Sequence, residues 1–463
     1  MKNINDYKLY YFIGIGGIGM SALARYFKLK NKLVVGYDKT KTELTQQMNN
    51  EGIECYYEID VNHLKTRISG FSKEDILVVY TPAIPKEHAE LLFFQNNNFL
   101  IKKRAEVLGD ITKNYKTIAV AGTHGKTTTT SLITHILKHS DSNLIAFVGG
   151  VMANYNTNFI YSVKHTNKET FVVVEADEYD KSFLKLNPYI SVITSIDADH
   201  LDIYHTHHNL IQTYVEFANR TDRDGWIFVN KNVDNKFSGI KNKSTYSVNL
   251  SGDINAENIL FNQGKMQFTL QIQNQTFSPV TLGIPGIHNI SNALAAIGVC
   301  DKLSISKNNI FEALSSFKGV KRRFEYHINT NDLVYIDDYA HHPQEIEAFI
   351  SSVKLMYAGK KIVGIFQPHL YSRTADFMNE FAAVLSLLDE VILLDIYPAR
   401  ELPIPGITSS ALLDKIKNPN KKLVTKEGLI DYLRNTHKEV VLTIGAGDID
   451  MLIPDIKNTL LKK

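Results

Sequence analysis

Residues 118–127 read Ile-Ala-Val-Ala-Gly-Thr-His-Gly-Lys-Thr, an apolar strand that runs straight into a glycine loop. Successive backbone N–H groups in such a turn form a concavity that takes an anion. A lysine at the loop's end, here Lys126, reaches the outer phosphates of a nucleotide, and the hydroxyl after it, Thr127, holds Mg2+. The general phosphate-loop pattern has glycine where this chain has Val120, so the loop departs from the standard Walker form. Gly122, Thr123, His124, Gly125, Lys126, Thr127 and Thr128 still point to a nucleoside triphosphate, with a helix expected over 128–137.

A second pattern lies earlier. Gly14, Gly16 and Gly19, with Gly17 between them, follow an apolar run at 9–13 and open a helix at Met20. Small residues let the backbone approach a pyrophosphate, and free N–H groups at the helix start complement its charge. Asp38 lies about twenty residues further on, where a ribose-binding carboxylate is expected. Alone, the pattern fits NAD equally well, and a glycine-rich turn without a ligand is the bland alternative. A dehydrogenase has no need of the second loop, however, and UDP-sugars carry the same pyrophosphate. Two loops therefore imply two nucleotide-like ligands, one of them a triphosphate.

Mg2+ prefers oxygen ligands, usually one or two carboxylates beside substrate phosphates. Glu175, ending the apolar run 171–175 and opening Glu175-Ala176-Asp177-Glu178, is the candidate. Glu178 and Asp180 are expected to be solvated or structural. His200 stands between Asp199 and Asp202 after the next strand, a spacing that leaves it open between metal ligand and packing residue. His205, His207 and His208 read as surface.

The elements that must position these groups follow from periodicity. Short apolar runs at 9–13, 33–37 and 76–80 read as buried parallel strands, with helical stretches at 21–28 and 43–50. A second series starts at 117–121 and continues with strands at 171–175 and 190–194 and a helix at 209–220. Residues 225–281 alternate polar and apolar, which suggests a small antiparallel insertion before a helix at 289–303. A third series has strands at 334–337, 362–366, 391–395 and 440–444 and a helix at 344–353. Alternation of this kind builds βαβ units. The expectation is an α/β protein of three domains in series: a Rossmann-like domain at 1–110, a central ATPase-type domain with a mostly parallel sheet at 111–321, and a C-terminal Rossmann-like domain at 322–463.

A chain of 463 residues exceeds a single ordinary core, and a net charge of +2 leaves no footprint for nucleic acid. The basic run Lys321-Arg322-Arg323 reads by itself as solvated surface. Cys55 and Cys300 are too few for a disulfide framework or a cysteine zinc site. The apolar run at 9–13 meets glycines too soon for a signal peptide, and nothing approaches the ~18 apolar residues of a membrane span. A cytoplasmic protein without membrane insertion, monomer or homodimer, is expected.

Several motifs taken together resemble the Mur ligases. They are Gly122-Thr123-His124-Gly125-Lys126-Thr127-Thr128 with the first glycine loop, Glu175-Ala176-Asp177-Glu178, Ser182-Phe183-Leu184, Asp199-His200-Leu201-Asp202, Gly286-Ile287-His288-Asn289 with Asn292, Arg322-Arg323-Phe324, Asp337-Asp338-Tyr339-Ala340-His341-His342-Pro343, and Phe366-Gln367-Pro368-His369. They occur in family order over nearly the whole chain. The resemblance implies an ATP-dependent amide ligase that joins L-alanine to the carboxylate of UDP-N-acetylmuramic acid through an acyl phosphate, with Mg2+. A ligase that recycles murein tripeptide is the second possibility it leaves, and a nicotinamide-dependent dehydrogenase a remoter third.

By the same resemblance, Gly14, Gly16, Gly17, Gly19, Met20 and Asp38 would hold the UDP-sugar. The phosphate loop, with His288, Asn289 and Asn292 on the adenine side, would hold ATP. Spacing alone would make 288–292 merely a helix start with Asn289 as N-cap. Thr127, Glu175 and His200 would hold the metal, and Arg323 would reach the transferred phosphate. Tyr339, His341, His369 and Arg373 would line the alanine pocket, with His341 as base; without the resemblance, 341–343 is a loop entering a helix and Arg373 a surface ion pair. The family pattern has arginine after the histidine of Phe-Gln-Pro-His, where this chain has Leu370, which leaves more of the carboxylate recognition to Arg373.

Overall fold

The computed structural model describes residues 2–462 except His165, His200, Gln263, Arg400 and His437, and leaves the side chains of Leu201 and Asp202 aside. The chain forms two compact units. One comprises residues 1–258, 268–281 and 291–317, the other residues 259–267, 282–290 and 318–463.

The first unit begins with a five-stranded sheet of β1 (Leu9–Ile13), β2 (Leu33–Tyr37), β3 (Glu54–Tyr56), β4 (Ile76–Tyr80) and β5 (Leu100–Lys103), in the order β3-β2-β1-β4-β5. All four pairings are parallel. A strand buried on both faces must be apolar throughout, and β1, Leu-Tyr-Tyr-Phe-Ile, is buried at every residue. Strand order reverses around β1, so the first glycine loop leaves at a topological switch point, where such sheets bind ligands.

A ten-stranded sheet follows, built from β6 (Lys116–Ala121), β7 (Asn143–Met152), β8 (Thr157–Ser162), β9 (Thr170–Glu175), β10 (Ile190–Ile193), β11 (Trp226–Asn230), β12 (Lys243–Val248), β13 (Ile254–Asn262), β14 (Lys265–Ile272) and β15 (Gln275–Leu282). Its order is β15-β14-β13-β12-β11-β10-β6-β9-β7-β8. Strand β6, which carries the phosphate loop, lies between β10 and β9, parallel to both. The expected antiparallel insertion is narrower than its sequence suggests. Strands β11, β12 and the start of β13 continue the main sheet in parallel. Beyond it β13, β14 and β15 are sheet neighbours in chain order, and at the β14–β15 turn Gln273 and Asn274 both have positive φ. The helix expected at 289 starts two residues earlier, Ile287–Lys302, so Asn289 lies inside its first turn and is not the N-cap.

The second unit carries β16 (Glu325–Asn329), β17 (Val334–Asp338), β18 (Ile362–Phe366), β19 (Glu390–Leu393), β20 (Lys421–Leu423) and β21 (Val440–Ile444), in the order β16-β17-β21-β18-β19-β20. Only the edge strand β16 runs antiparallel. Cores lie on both faces of this sheet, around Phe349, Phe366 and Phe381 on one side and Tyr335, Leu429 and Ile456 on the other. The result is a three-sheet, mostly parallel α/β chain. Among the described residues no helix is long and apolar enough to cross a membrane.

Candidate active site

The first glycine loop turns at Gly14, whose N–H, with that of Ile15, donates to the Tyr37 carbonyl at the end of β2. Asp38 folds back onto it. One carboxylate oxygen accepts the Gly16 N–H at 2.7 Å and the other the Thr40 N–H at 3.0 Å. Asp38 thus braces the loop in this state. Gly17 precedes the helix Ile18–Leu29, whose first turn carries neither a side-chain cap nor an acid, and Met20 is buried in it.

The phosphate loop is pinned from β10. The Ser195 hydroxyl accepts the His124 N–H at 2.9 Å and pairs with the Thr123 hydroxyl at 2.8 Å, and the Thr194 hydroxyl donates to the His124 carbonyl. His124 Nε2 stands 3.6 Å from Asp197. Gly125, at φ +80°, is the N-cap of the helix Lys126–His139. A Cβ there would lie 2.4 Å from Asn292 Oδ1, an atom that also accepts from the Thr129 hydroxyl at 3.2 Å. Asn292 therefore props the loop from behind. Thr127 and Thr128 are buried in the first turn of that helix.

Lys126 Nζ curls back over its loop to the Gly122 carbonyl and meets both oxygens of Glu178 at 2.9 Å. Glu178 is 1% exposed and Lys126 17%. Burial works against the lysine's charge, but Glu178 first, then Asp177 and Glu175, hold its pKa above the usual lysine range. Each acid of the run 175–178 is engaged differently. Glu175 accepts the Gly149 N–H at 2.6 Å, Asp177 takes Arg104 at 3.2 Å, and Glu178 takes Lys126. Of the two readings of Glu178, solvated or structural, the structure gives the structural one, with a partner 52 positions away. Asp180 is half exposed and pairs with Lys103. His200 lies outside the described residues, and His205, His207 and His208 are exposed.

In the second unit the site residues collect at the carboxyl ends of β17 and β18. The Tyr339 and His341 rings lie 5.3 Å apart, and His341 and His369 6.1 Å apart. His369 stacks on Tyr397. Nδ1 of His341 faces the Tyr339 carbonyl at 3.0 Å and Glu345 at 3.3 Å, a tautomer that leaves the Nε2 lone pair for a substrate proton. Burial, against the pull of Glu345, pushes its pKa down to about 3, so the ring is neutral near pH 7. Arg323 stands 3.9 Å from Glu345 and 5.1 Å from the Tyr339 ring centroid. Burial lowers His288 to about 4, and Asn289 donates to the Pro285 carbonyl. Arg373 is buried on the short helix after Leu370, whose φ of +69° is unusual for a branched side chain.

The basic run 321–323 is not mere solvated surface. Arg322 is inserted between Asp337 and the Gly445 carbonyl. Ligand-type atoms of Glu325, His327 and Asp337 come within 4.8 Å of one another. The Arg322 guanidinium already pairs with Asp337 there, and its backbone N–H donates to Glu325.

Three family models match in sequence: "Mur ligase family, catalytic domain" over 9–116, "Mur ligase middle domain" over 120–300 and "Mur ligase, glutamate ligase domain" over 322–447. This chain belongs to the Mur ligase family. Among similar Mur ligases is the UDP-N-acetylmuramate–L-alanine ligase of Christiangramia forsetii, 47% identical over 100% of this chain and 99% of that one. The enzyme of the same name from Parabacteroides distasonis is 46% identical, with the same coverage. Of solved structures, the UDP-N-acetylmuramate–alanine ligase of Thermotoga maritima matches with a TM-score of 0.79 and 27% identity over 98% of each chain. A murein peptide ligase from Psychrobacter arcticus shares the fold, with a TM-score of 0.71 at 21% identity and 98% coverage of both chains.

Within this Mur ligase, sequence reading left three polar residues unmarked: Arg25, Arg104 and Asn158. Arg25 and Asn158 tie the helix Ile18–Leu29 to β8, and Arg104 ties the acid run to the first glycine loop. Each sits in an ordinary-looking stretch and acquires its role only from partners distant in sequence.

Proposed function

We propose that this chain joins L-alanine to the carboxylate of UDP-N-acetylmuramic acid at the expense of ATP, an early amide-forming step of peptidoglycan precursor synthesis in the cytoplasm. Full-length relatives of that name at 46–47% identity support the substrate pair. The observation that carries the chemistry is Lys126, held at a helix N-terminus over a glycine loop and within a short reach of a carboxylate run.

A carboxylate is a poor electrophile, and ATP converts it to an acyl phosphate. The muramyl carboxylate oxygen attacks the γ-phosphorus and ADP leaves. Lys126 and Arg323 offset charge on the transferring group, since phosphoryl transfer is chiefly positioning and electrostatics. The neutral alanine amine then attacks the acyl carbon, and phosphate leaves with the bonding pair of the C–O bond. His341, neutral and with Nε2 open, is the proposed acceptor of the amine proton. The low pKa makes it a weak base in this state. Tyr339, His369 and Arg373 are proposed to hold the amino acid, Arg373 serving its carboxylate in place of the cation lost at Leu370.

A hydroxyl at Thr127 and a carboxylate at Glu175, which ends the strand beside β6, are hard oxygen donors that suit Mg2+. When bound there, Mg2+ would neutralise phosphate charge. His288, Asn289 and Asn292 are proposed for the adenine side, with Asn292 also bracing the loop.

Phosphate release with ATP, Mg2+ and UDP-N-acetylmuramic acid tests the reading, with L-alanine or a diaminopimelate-containing tripeptide added in separate reactions. Release that depends on alanine, with the matching mass gain on the sugar nucleotide, is expected. Release only with tripeptide would move the protein to the recycling reaction.

A further inference from the structure

Two arginines approach the helix that opens from the first glycine loop, and they are used differently. Arg25 is 6% exposed and engaged at all three guanidinium nitrogens. Its guanidinium meets both oxygens of Glu51 at 2.7 Å and Asn158 Oδ1 at 2.5 Å. Arg25 is a structural ion pair. Arg104, the first residue of the helix Arg104–Thr112, is 21% exposed. Its one hydrogen bond among the described residues runs from Nη2 to Asp177 at 3.2 Å. Five donors in a planar fork are normally spent on paired oxygens, and here most are unspent.

The loop makes room for this group. A Cβ on Gly19 would lie 2.8 Å from Arg104 Nη1, 3.1 Å from Cδ and 3.3 Å from Cζ. Any side chain at position 19 would expel the guanidinium, so the last glycine of the loop is explained by an arginine lying on it. On its other side Arg104 lines a small cavity together with Glu175 and Asp177. It thus stands between the loop proposed for the sugar nucleotide and the carboxylate proposed for the metal.

We propose that Arg104 is a substrate-binding residue, whose guanidinium, lying on Gly19, takes an anionic oxygen group of the sugar nucleotide. The inference rests on the sugar-nucleotide reading of the first glycine loop. Two groups of that ligand have the right chemistry, the pyrophosphate and the muramyl carboxylate, and both suit a forked donor.

Calorimetric titration of the full chain and of Arg104→Ala with UDP, UDP-N-acetylglucosamine and UDP-N-acetylmuramic acid separates them. The substitution is expected to raise Kd roughly ten- to hundredfold, the loss of a charge-assisted contact. A loss with all three ligands assigns the pyrophosphate, and a loss confined to UDP-N-acetylmuramic acid assigns the carboxylate. Arg104→Lys should recover only part of the affinity, and ATP affinity should stay within a few-fold of wild type. Asp177→Asn removes the ion pair but keeps the arginine, and should leave sugar-nucleotide binding within a few-fold. If Asp177→Asn loses as much as Arg104→Ala, the role is structural and the proposal fails. It fails equally if Arg104→Ala binds all three ligands as wild type does. Absence of UDP-N-acetylmuramic acid binding by the wild-type chain would instead bring down the functional reading beneath it.

Discussion

At the scale of the residue, Lys126 and Glu178 form a unit whose halves have separate consequences. Removing the lysine takes away the proposed donor to the transferring phosphoryl group, and loss of such a donor typically costs about 3–4 kcal/mol in the barrier. It also strands a carboxylate that is almost wholly buried. Breaking a buried pair from one side costs about 3–5 kcal/mol of stability. Lys126→Ala is therefore expected to lower turnover roughly a hundredfold or more and to lower the melting temperature as well. Lys126→Ala combined with Glu178→Gln should regain much of the stability and none of the activity. Phosphate-release rates and thermal melts on the three proteins check this, and near-normal turnover in the single variant would remove Lys126 from the mechanism. Glu90 gives a second residue-scale expectation. It is buried between the Tyr11 and Tyr56 hydroxyls, which donate to it at 3.0 and 2.9 Å, and burial raises its pKa from 4.5 to about 7. The folded chain then prefers the protonated acid, so its contribution to stability is whole below pH 4.5 and is lost as pH rises through about 7. Glu90→Gln should flatten this dependence, with a gain of up to about 3 kcal/mol at pH above 7 relative to acid conditions. Unfolding midpoints for both proteins at about pH 5 and pH 8 measure it, and parallel curves would exclude Glu90 as the titrating group.

At the scale of the element, the phosphate loop works because Gly125 turns the chain through a left-handed conformation into the helix that carries Lys126 and Thr127. Gly125→Ala would cost about 1–2 kcal/mol in backbone conformation alone. Its methyl group would also collide with Asn292, the loop's support. The expected outcome is a KM for ATP raised tenfold or more, with affinity for the sugar nucleotide unchanged, in steady-state kinetics varying each substrate in turn. Equal losses for both substrates would mean that the variant damages the fold and not the loop. Elements of this kind are legible in sequence because their signals are local. β1, β2, β4, β18 and β21 are continuous apolar runs with the bounds that periodicity assigns them. Strands β7 and β8 escape such a reading, since Gly149-Gly150 interrupts the apolar run of β7 and β8 is an edge strand with polar residues at both ends. The region 225–281 looked antiparallel because half-buried strands at the rim of a large sheet alternate whichever way they run. At the site, both glycine loops and Glu175 could be read from spacing. The contacts Lys126–Glu178 and Arg104–Asp177 could not, lying 52 and 73 positions apart; the first arises where strands β6 and β9 become neighbours.

At the scale of the whole molecule, the first unit has to hold the helix of the first glycine loop in register with the sheet that carries the second. The joint is Asn158, fully buried on β8. Its amide donates to the Ile18 carbonyl at 2.6 Å and the Ser21 hydroxyl at 2.9 Å, while its oxygen accepts from Arg25. Every polar atom of that side chain is committed, across 133 to 140 positions of sequence, to the first turns of the helix Ile18–Leu29. Asn158→Ala would remove one of the two side-chain donors to the Ile18 carbonyl and leave Nη1 of the buried Arg25 guanidinium without its acceptor, at a cost of about 1–3 kcal/mol. Because β8 is an edge strand, the loss should loosen the joint without dissolving either sheet. Amide exchange is then expected to speed up in the helix Ile18–Leu29 and to stay slow in β6 and β9. Affinity for the sugar nucleotide should fall while ATP binding holds. Uniformly faster exchange would assign Asn158 to general stability. Exchange and affinities unchanged from wild type would mean that the two glycine loops are held together by apolar packing, of Tyr26 on Phe147 and Phe159, and not by this hydrogen-bonded joint.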